Sequence, residues 1–133
     1  DWSKVYTGFR IESETYPGLA SEDGHYTKEE FKNFQKEFIN YGINIIPELD
    51  TPAHSLAISH YMPEIASEKY GPDHLNLENP KTYEFVKNLF DEYLSGDDPV
   101  FVGPDVHIGT DEYKGADQPT KELFRKYADD LIN

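Results

Sequence analysis

The chain has 133 residues, a net charge of −14 and no cysteine, which is the length of one modest domain. With so large an acidic excess and few, unclustered lysines and arginines, nucleic acid and anionic membrane are excluded as natural partners, and the charge reads first as solubility. The missing cysteine excludes disulfides, a thiolate metal site and a thiol nucleophile, and is neutral on compartment.

Hydrophobic residues at 37% and aromatic residues at 14% suffice for a packed core. No apolar run approaches the roughly 20 residues that cross a bilayer, so membrane insertion is not expected. No signal peptide is visible, and a chain opening on Asp1 is expected to be a processed product or a segment of something longer.

In chain order, Gly8-Phe9-Arg10-Ile11-Glu12 alternates apolar and polar and predicts a short strand, broken by Tyr16-Pro17-Gly18. Thr27 and Glu30 form a capping box ahead of Phe31, Phe34, Phe38 and Ile39, a helical face ending near Tyr41-Gly42. Ile43 to Ile46 predicts a strand stopped by Pro47, and Thr51-Pro52 predicts the cap and first position of a short helix to about Ser59. Residues 61–78, punctuated by Pro63, Gly71 and Pro72, predict an irregular excursion.

Asn79-Pro80 opens an amphipathic helix with Tyr83, Val86, Phe90 and Leu94 facing inward and Gly96 as its cap. Val106 to Gly109 is the next predicted strand. Pro119 starts a last helix with Leu123, Phe124, Tyr127 and Leu131 inward. Helices alternating with short strands imply right-handed crossovers and a parallel sheet, either doubly wound or a (β/α)8 TIM barrel. A closed barrel takes about 250 residues, so about three parallel strands with flanking helices make residues 1–133 part of one, read as a single partial domain. The uncovered strand edges of such a piece are expected to permit self-association.

The chemistry concentrates where two of these strands end. His107-Ile108-Gly109-Thr110-Asp111-Glu112-Tyr113 delivers a histidine and two adjacent acids, and Glu48-Leu49-Asp50-Thr51-Pro52-Ala53-His54 repeats the layout. Neighbouring acids repel and are costly to desolvate, so a fold selected for stability alone would avoid placing them together. Two carboxyls in different environments can be pushed apart in proton affinity, one staying an acid and one ionised. Glycosidic cleavage requires such a division: a proton donor for the leaving oxygen and negative charge near the developing cation. An isolated Asp-Glu pair reads first as a solvated loop.

His107 to Tyr113 resembles the His-x-Gly-Gly-Asp-Glu signature of glycoside hydrolase family 20, the β-N-acetylhexosaminidases and lacto-N-biosidases, with Thr110 at the second glycine. Ile45-Ile46-Pro47-Glu48-Leu49-Asp50-Thr51-Pro52-Ala53-His54 is similar to its Val-Ile-Pro-Glu-Ile-Asp-x-Pro-Gly-His block, with Ala53 at the usual glycine. Gly24-His25-Tyr26-Thr27 resembles its Gly-x-Tyr-Thr helix entry, and Phe9-Arg10-Ile11-Glu12 its Trp-Arg-Leu-Glu strand exit. Four ordered blocks cover most of the chain.

The resemblance implies a retaining hydrolase in which the substrate's own 2-acetamido oxygen attacks the anomeric carbon, family 20 being a recognised exception to the two-carboxylate scheme. Asp111 would orient the acetamido group. Glu112 would protonate the leaving oxygen and then act as base on water. His54 would stand by Glu112 and help set its proton affinity, with Asp50 holding the network at the strand ends.

No cofactor or metal is implied. The substrate would be an oligosaccharide or glycoconjugate bearing N-acetylhexosamine, and the parent protein would be extracellular or cell-surface.

For the other matching residues the structural reading stands beside the functional one. His107 and Glu48 are expected to be interior hydrogen-bonded groups, Arg10 a salt-bridge partner or a substrate contact, Tyr113 a packing residue or a sugar contact. His25, His60 and His74 are expected at the surface, and Trp2 and the tyrosines mostly in the core.

The family's first-strand arginine is not in the sequence. The acidic pair that partners His54 would lie before Asp1, and the aromatic wall of the acetamido pocket beyond Asn133. The isolated chain is therefore expected to show little activity. Ala53, Thr110 and the Gly103-Pro104-Asp105 lead-in lean toward lacto-N-biosidase-type members.

Two alternatives stay open. One is a metallohydrolase using His54, His107, Asp50, Asp111 and Glu112 as N/O ligands; the other is a non-catalytic carbohydrate-binding fragment.

Overall fold

A computed structural model describes residues 8–133; Trp2 lies outside them. The elements are α1 (Lys28–Asn40), β1 (Glu48–Thr51), α2 (Leu56–Tyr61), a 3-10 turn (Pro63–Ile65), β2 (Ala66–Ser67), β3 (Gly71–Leu75), α3 (Pro80–Leu94), β4 (His107–Gly109) and α4 (Gln118–Ile132).

Local chemistry sets most boundaries. The Thr27–Glu30 capping box is formed in both directions at the start of α1. Asn79 accepts from Lys81 N ahead of Pro80, and Asp117 accepts from Thr120 N ahead of α4.

β1 and β4 are parallel neighbours, with Glu48 opposite His107 and Thr51 opposite Gly109. The segment read as a first strand forms isolated parallel bridges, Phe9 with Ala20 and Ile11 with Tyr26, rather than a continuous ladder.

Four expectations are corrected. Ile43–Ile46 is not in a strand: β4 is short, its His107 N–H first reaches the Pro47 carbonyl at 2.8 Å, and the ladder therefore runs from Glu48. Ile43 and Ile46 stay half exposed. The Thr51–Pro52 peptide is cis and Thr51 belongs to β1, so α2 begins at Leu56 with Ser55 before it. Residues 61–78 are not wholly irregular, because β2 and β3 pair there as an antiparallel hairpin. Leu94, expected to face inward, is 43% exposed at the end of α3.

The core lies between α3 and the strands. Phe85, Val86, Leu89, Phe90 and Tyr93 of α3 are buried with Leu49 of β1, Leu75 of β3 and Tyr127 of α4. Each fully buried apolar side chain is worth about 1.5–3 kcal/mol relative to exposure.

Two buried polar groups fasten loops to this core. Gln35 donates to the Val100 carbonyl at 2.8 Å and accepts from Val102 N at 3.2 Å. Tyr127 donates to the Thr51 hydroxyl at 2.6 Å, fixing α4 beneath β1.

Candidate active site

The two parallel strands bring their carboxyl ends together, the position where α/β sheets present reactive groups. Asp50 is on β1 and His54 three residues beyond its end. Asp111 and Glu112 follow β4 after Thr110. Thr110 N donates to the Thr51 carbonyl at 3.0 Å and extends the pairing one step past the strand.

The backbone then turns sharply. His54 (φ 53°), Thr110 (φ 75°) and Glu112 (φ 51°) all take left-handed conformations that side chains rarely adopt. Three such residues at one place, two of them acid or imidazole, are the kind of strain that collects at functional sites.

These turns resolve the geometric problem of adjacent acids, whose side chains would point to opposite faces in a regular strand. Both carboxylates reach one imidazole: His54 Nε2 is 3.1 Å from Glu112 Oε2 and 3.4 Å from Asp111 Oδ2. Asp50 lies beside both, one of its carboxylate oxygens within 4.8 Å of Asp111 and of His54. Burial first, and then the negative charge of Asp111, pushes the Asp50 carboxyl up to about 6. Asp50 Oδ1 is buried without a hydrogen-bond partner and faces Gly109, where any Cβ would collide with it. A cleft of about 280 Å³ opens beside Asp50 and His54, with Phe9, Leu49 and Ile58 among its walls.

The remaining expected residues divide. Glu48 and His107 do pair, Nδ1 to Oε1 at 3.1 Å, but both are exposed rather than interior, because among the described residues they sit on a sheet of only two strands. Arg10 lines the cleft, yet its guanidinium donates to Asp23 and to the Gly24 carbonyl, both at 2.6 Å. It clamps a loop. Tyr113 donates to the Leu75 carbonyl at 2.9 Å and packs on Tyr70 and His74, and burial pushes its hydroxyl up to about 12.

His74 is a correction: it is 2% exposed, not at the surface. Lys114 N donates to its Nε2 at 3.2 Å, which leaves the ring proton on Nδ1, 3.0 Å from Asp73 Oδ1 but off the line of a hydrogen bond. Nothing in its sequence context marks it. Asp73-His74-Leu75 has no clean alternation, and His74 and Leu75 are both buried.

Asp50, His54 and Asp111 each bring one ligand atom within 4.8 Å of the others, a set that could also hold a cation. No helix among the described residues is long and apolar enough to cross a membrane.

Comparison with known proteins places the chain in a family. The chain is 38% identical over 98 residues to a lacto-N-biosidase of Bifidobacterium bifidum, a match covering 71% of this chain and 8% of that protein. It is 32% identical over 116 residues to β-hexosaminidase subunit A1 of Dictyostelium discoideum, covering 78% and 21%. Among solved structures, the chitobiase of Flavobacterium johnsoniae aligns at 35% identity and a TM-score of 0.70, covering 94% of this chain and 20% of that one. The fold also matches a β-N-acetylhexosaminidase of Streptomyces coelicolor with a TM-score of 0.77 at 23% identity.

The chain thus spans about a fifth or less of these relatives except the last, of which it covers 28%. Residues 6–130 match the family model of the glycosyl hydrolase family 20 catalytic domain, and the chain belongs to that family.

Proposed function

We propose that this chain carries the acid/base portion of a retaining β-N-acetylhexosaminidase-type active site, acting on terminal β-linked N-acetylhexosamine or lacto-N-biose glycosides. The observation that carries the reading is the meeting of Asp111 and Glu112 at one imidazole, His54 Nε2, beside a cleft. Two ordinary glycosidase carboxylates stand about 5 Å or more apart across the sugar ring. Consecutive residues drawn to one nitrogen serve neighbouring atoms on one side of it.

In the first step Asp111 accepts from the acetamido N–H and steadies the positive charge that develops there. The acetamido oxygen attacks the anomeric carbon, and Glu112 passes its proton to the departing oxygen as the glycosidic bond breaks. In the second, Glu112 takes a proton from water, which opens the oxazolinium ring with overall retention. His54, between the two carboxylates, holds both in place. Asp50, which holds its proton up to about pH 6, can below that pH donate to Asp111 and keep it oriented.

The parent protein is proposed to act outside the cell or on its surface. The 133 residues alone are proposed to have little or no activity, since they hold only part of a sugar pocket.

Substrates fluorinated on the acetamido methyl test the mechanism in the natural reading frame that contains this chain. Fluorine weakens the acetamido nucleophile, so kcat falls progressively with each fluorine. A rate indifferent to fluorination would mean an enzyme nucleophile.

A second reading has one observation in its favour, the Asp50, His54 and Asp111 trio. Stoichiometric zinc or manganese after dialysis would establish the metal reading instead.

A further inference from the structure

Two of the three strained residues of the site, His54 and Glu112, are braced from the same element. On either side of His54, Leu75 N donates to the Pro52 carbonyl at 2.7 Å and Ser55 N donates to the Asp73 carbonyl at 2.9 Å. On the far side of Glu112, Tyr113 donates to the Leu75 carbonyl and Lys114 N donates to His74 Nε2. The next residue, Gly115, has no room for a Cβ, which would come within 2.4 Å of Thr120 and 2.9 Å of the Tyr70 hydroxyl. β3 therefore touches the imidazole's turn with its backbone and the acids' loop with His74 and a carbonyl.

We propose that His74 is a positioning residue: through its bond to Lys114 N, β3 sets the distance between His54 and Glu112. An apolar residue would fill the same buried space. Beside its contacts with Asp73 and the Tyr113 ring, imidazole at this place supplies an acceptor aimed at the backbone two residues past Glu112, and losing it would leave that amide unpaired. The His54 turn has one close local tie, the Ser55 hydroxyl donating to the Ala53 carbonyl at 2.9 Å, and both left-handed turns are also bonded to β3, so the separation of their side chains depends on the element that both touch. The functional weight of this rests on the glycosidase reading above; the brace itself does not.

The test uses 15N-labelled chain without substrate, so it is independent of whether Glu112 proves to be the acid. In the wild type, a scalar coupling across the hydrogen bond is expected between Lys114 N and His74 Nε2, and its absence overturns the proposal outright. In His74→Leu, the Lys114 amide is expected to exchange at least about tenfold faster. The shift of the His54 ring resonances on Glu112→Gln should shrink in that background, and His74→Gln, which restores an acceptor at similar reach, should recover both. A His54 response to Glu112→Gln that is as large in His74→Leu as in wild type would show that the two turns are set without β3. Where His74→Leu fails to fold, absence of the wild-type coupling still overturns the proposal.

Discussion

Gly109 on β4 packs so closely on Asp50 of β1 that a Cβ there would lie 2.1 Å from Asp50 Oδ1 and 2.6 Å from Asp50 Cα. Gly109 also has φ 69°, so two independent constraints exclude a side chain. Gly109→Ala is expected to force the parallel strands apart and cost about 1–3 kcal/mol. Urea unfolding reads this as a lower midpoint; an unchanged midpoint would mean that the strands slide without cost.

At Thr110 the opposite substitution is favourable. A β-branched residue at φ 75° is strained by roughly 1–2 kcal/mol, of which glycine's extra unfolded-state freedom takes back about half. Thr110→Gly, which restores the glycine of the family signature, is expected to raise stability by roughly 0.5–1 kcal/mol. Thermal denaturation checks the sign.

The Asp50 carboxyl gives a pH dependence of definite direction. Its ordinary value of 3.8 holds for the unfolded chain and about 6 for the folded one. Between these the folded state keeps a proton that the unfolded state has lost, so stability falls as pH rises from about 4 to about 6 and levels above. Asp111 contributes to the shift, so the titration belongs to the pair. Urea midpoints across pH 4–7 should show Asp50→Asn gaining on wild type as pH rises. Parallel curves would contradict the assignment.

Beneath the site, the buried Tyr127–Thr51 hydrogen bond at 2.6 Å joins α4 to the end of β1. Tyr127→Phe keeps the ring and strands a buried hydroxyl, an expected loss of about 1–3 kcal/mol. The effect is read by denaturant titration, with Tyr83→Phe, whose partly buried hydroxyl bonds the Leu77 carbonyl, as a milder comparison.

How much of this was legible in the sequence depended on how local the cause was. The capping box at Thr27 and the Asn79-Pro80 start are short-range chemistry and appeared where expected. The β1 boundary was misplaced because it depends on where His107 reaches Pro47, 60 residues away in the chain. The convergence of Asp111, Glu112 and His54 followed from motif order, although the left-handed turns that achieve it left no signal at His54 or Glu112. His74 was the clearest miss. Its burial is explained by an amide 40 positions later, and no periodicity reports such a partner.

The most direct test of the central claim is the dependence of kcat on leaving group for wild type and Glu112→Gln, in the natural reading frame that contains these residues. Glu112 as general acid predicts a loss of about 10²–10⁴-fold for an unactivated N-acetylhexosaminide. The loss in the glycosylation step should be much smaller for a nitrophenyl leaving group, which needs no proton. Equal kcat for wild type and Glu112→Gln on the unactivated glycoside would contradict the account.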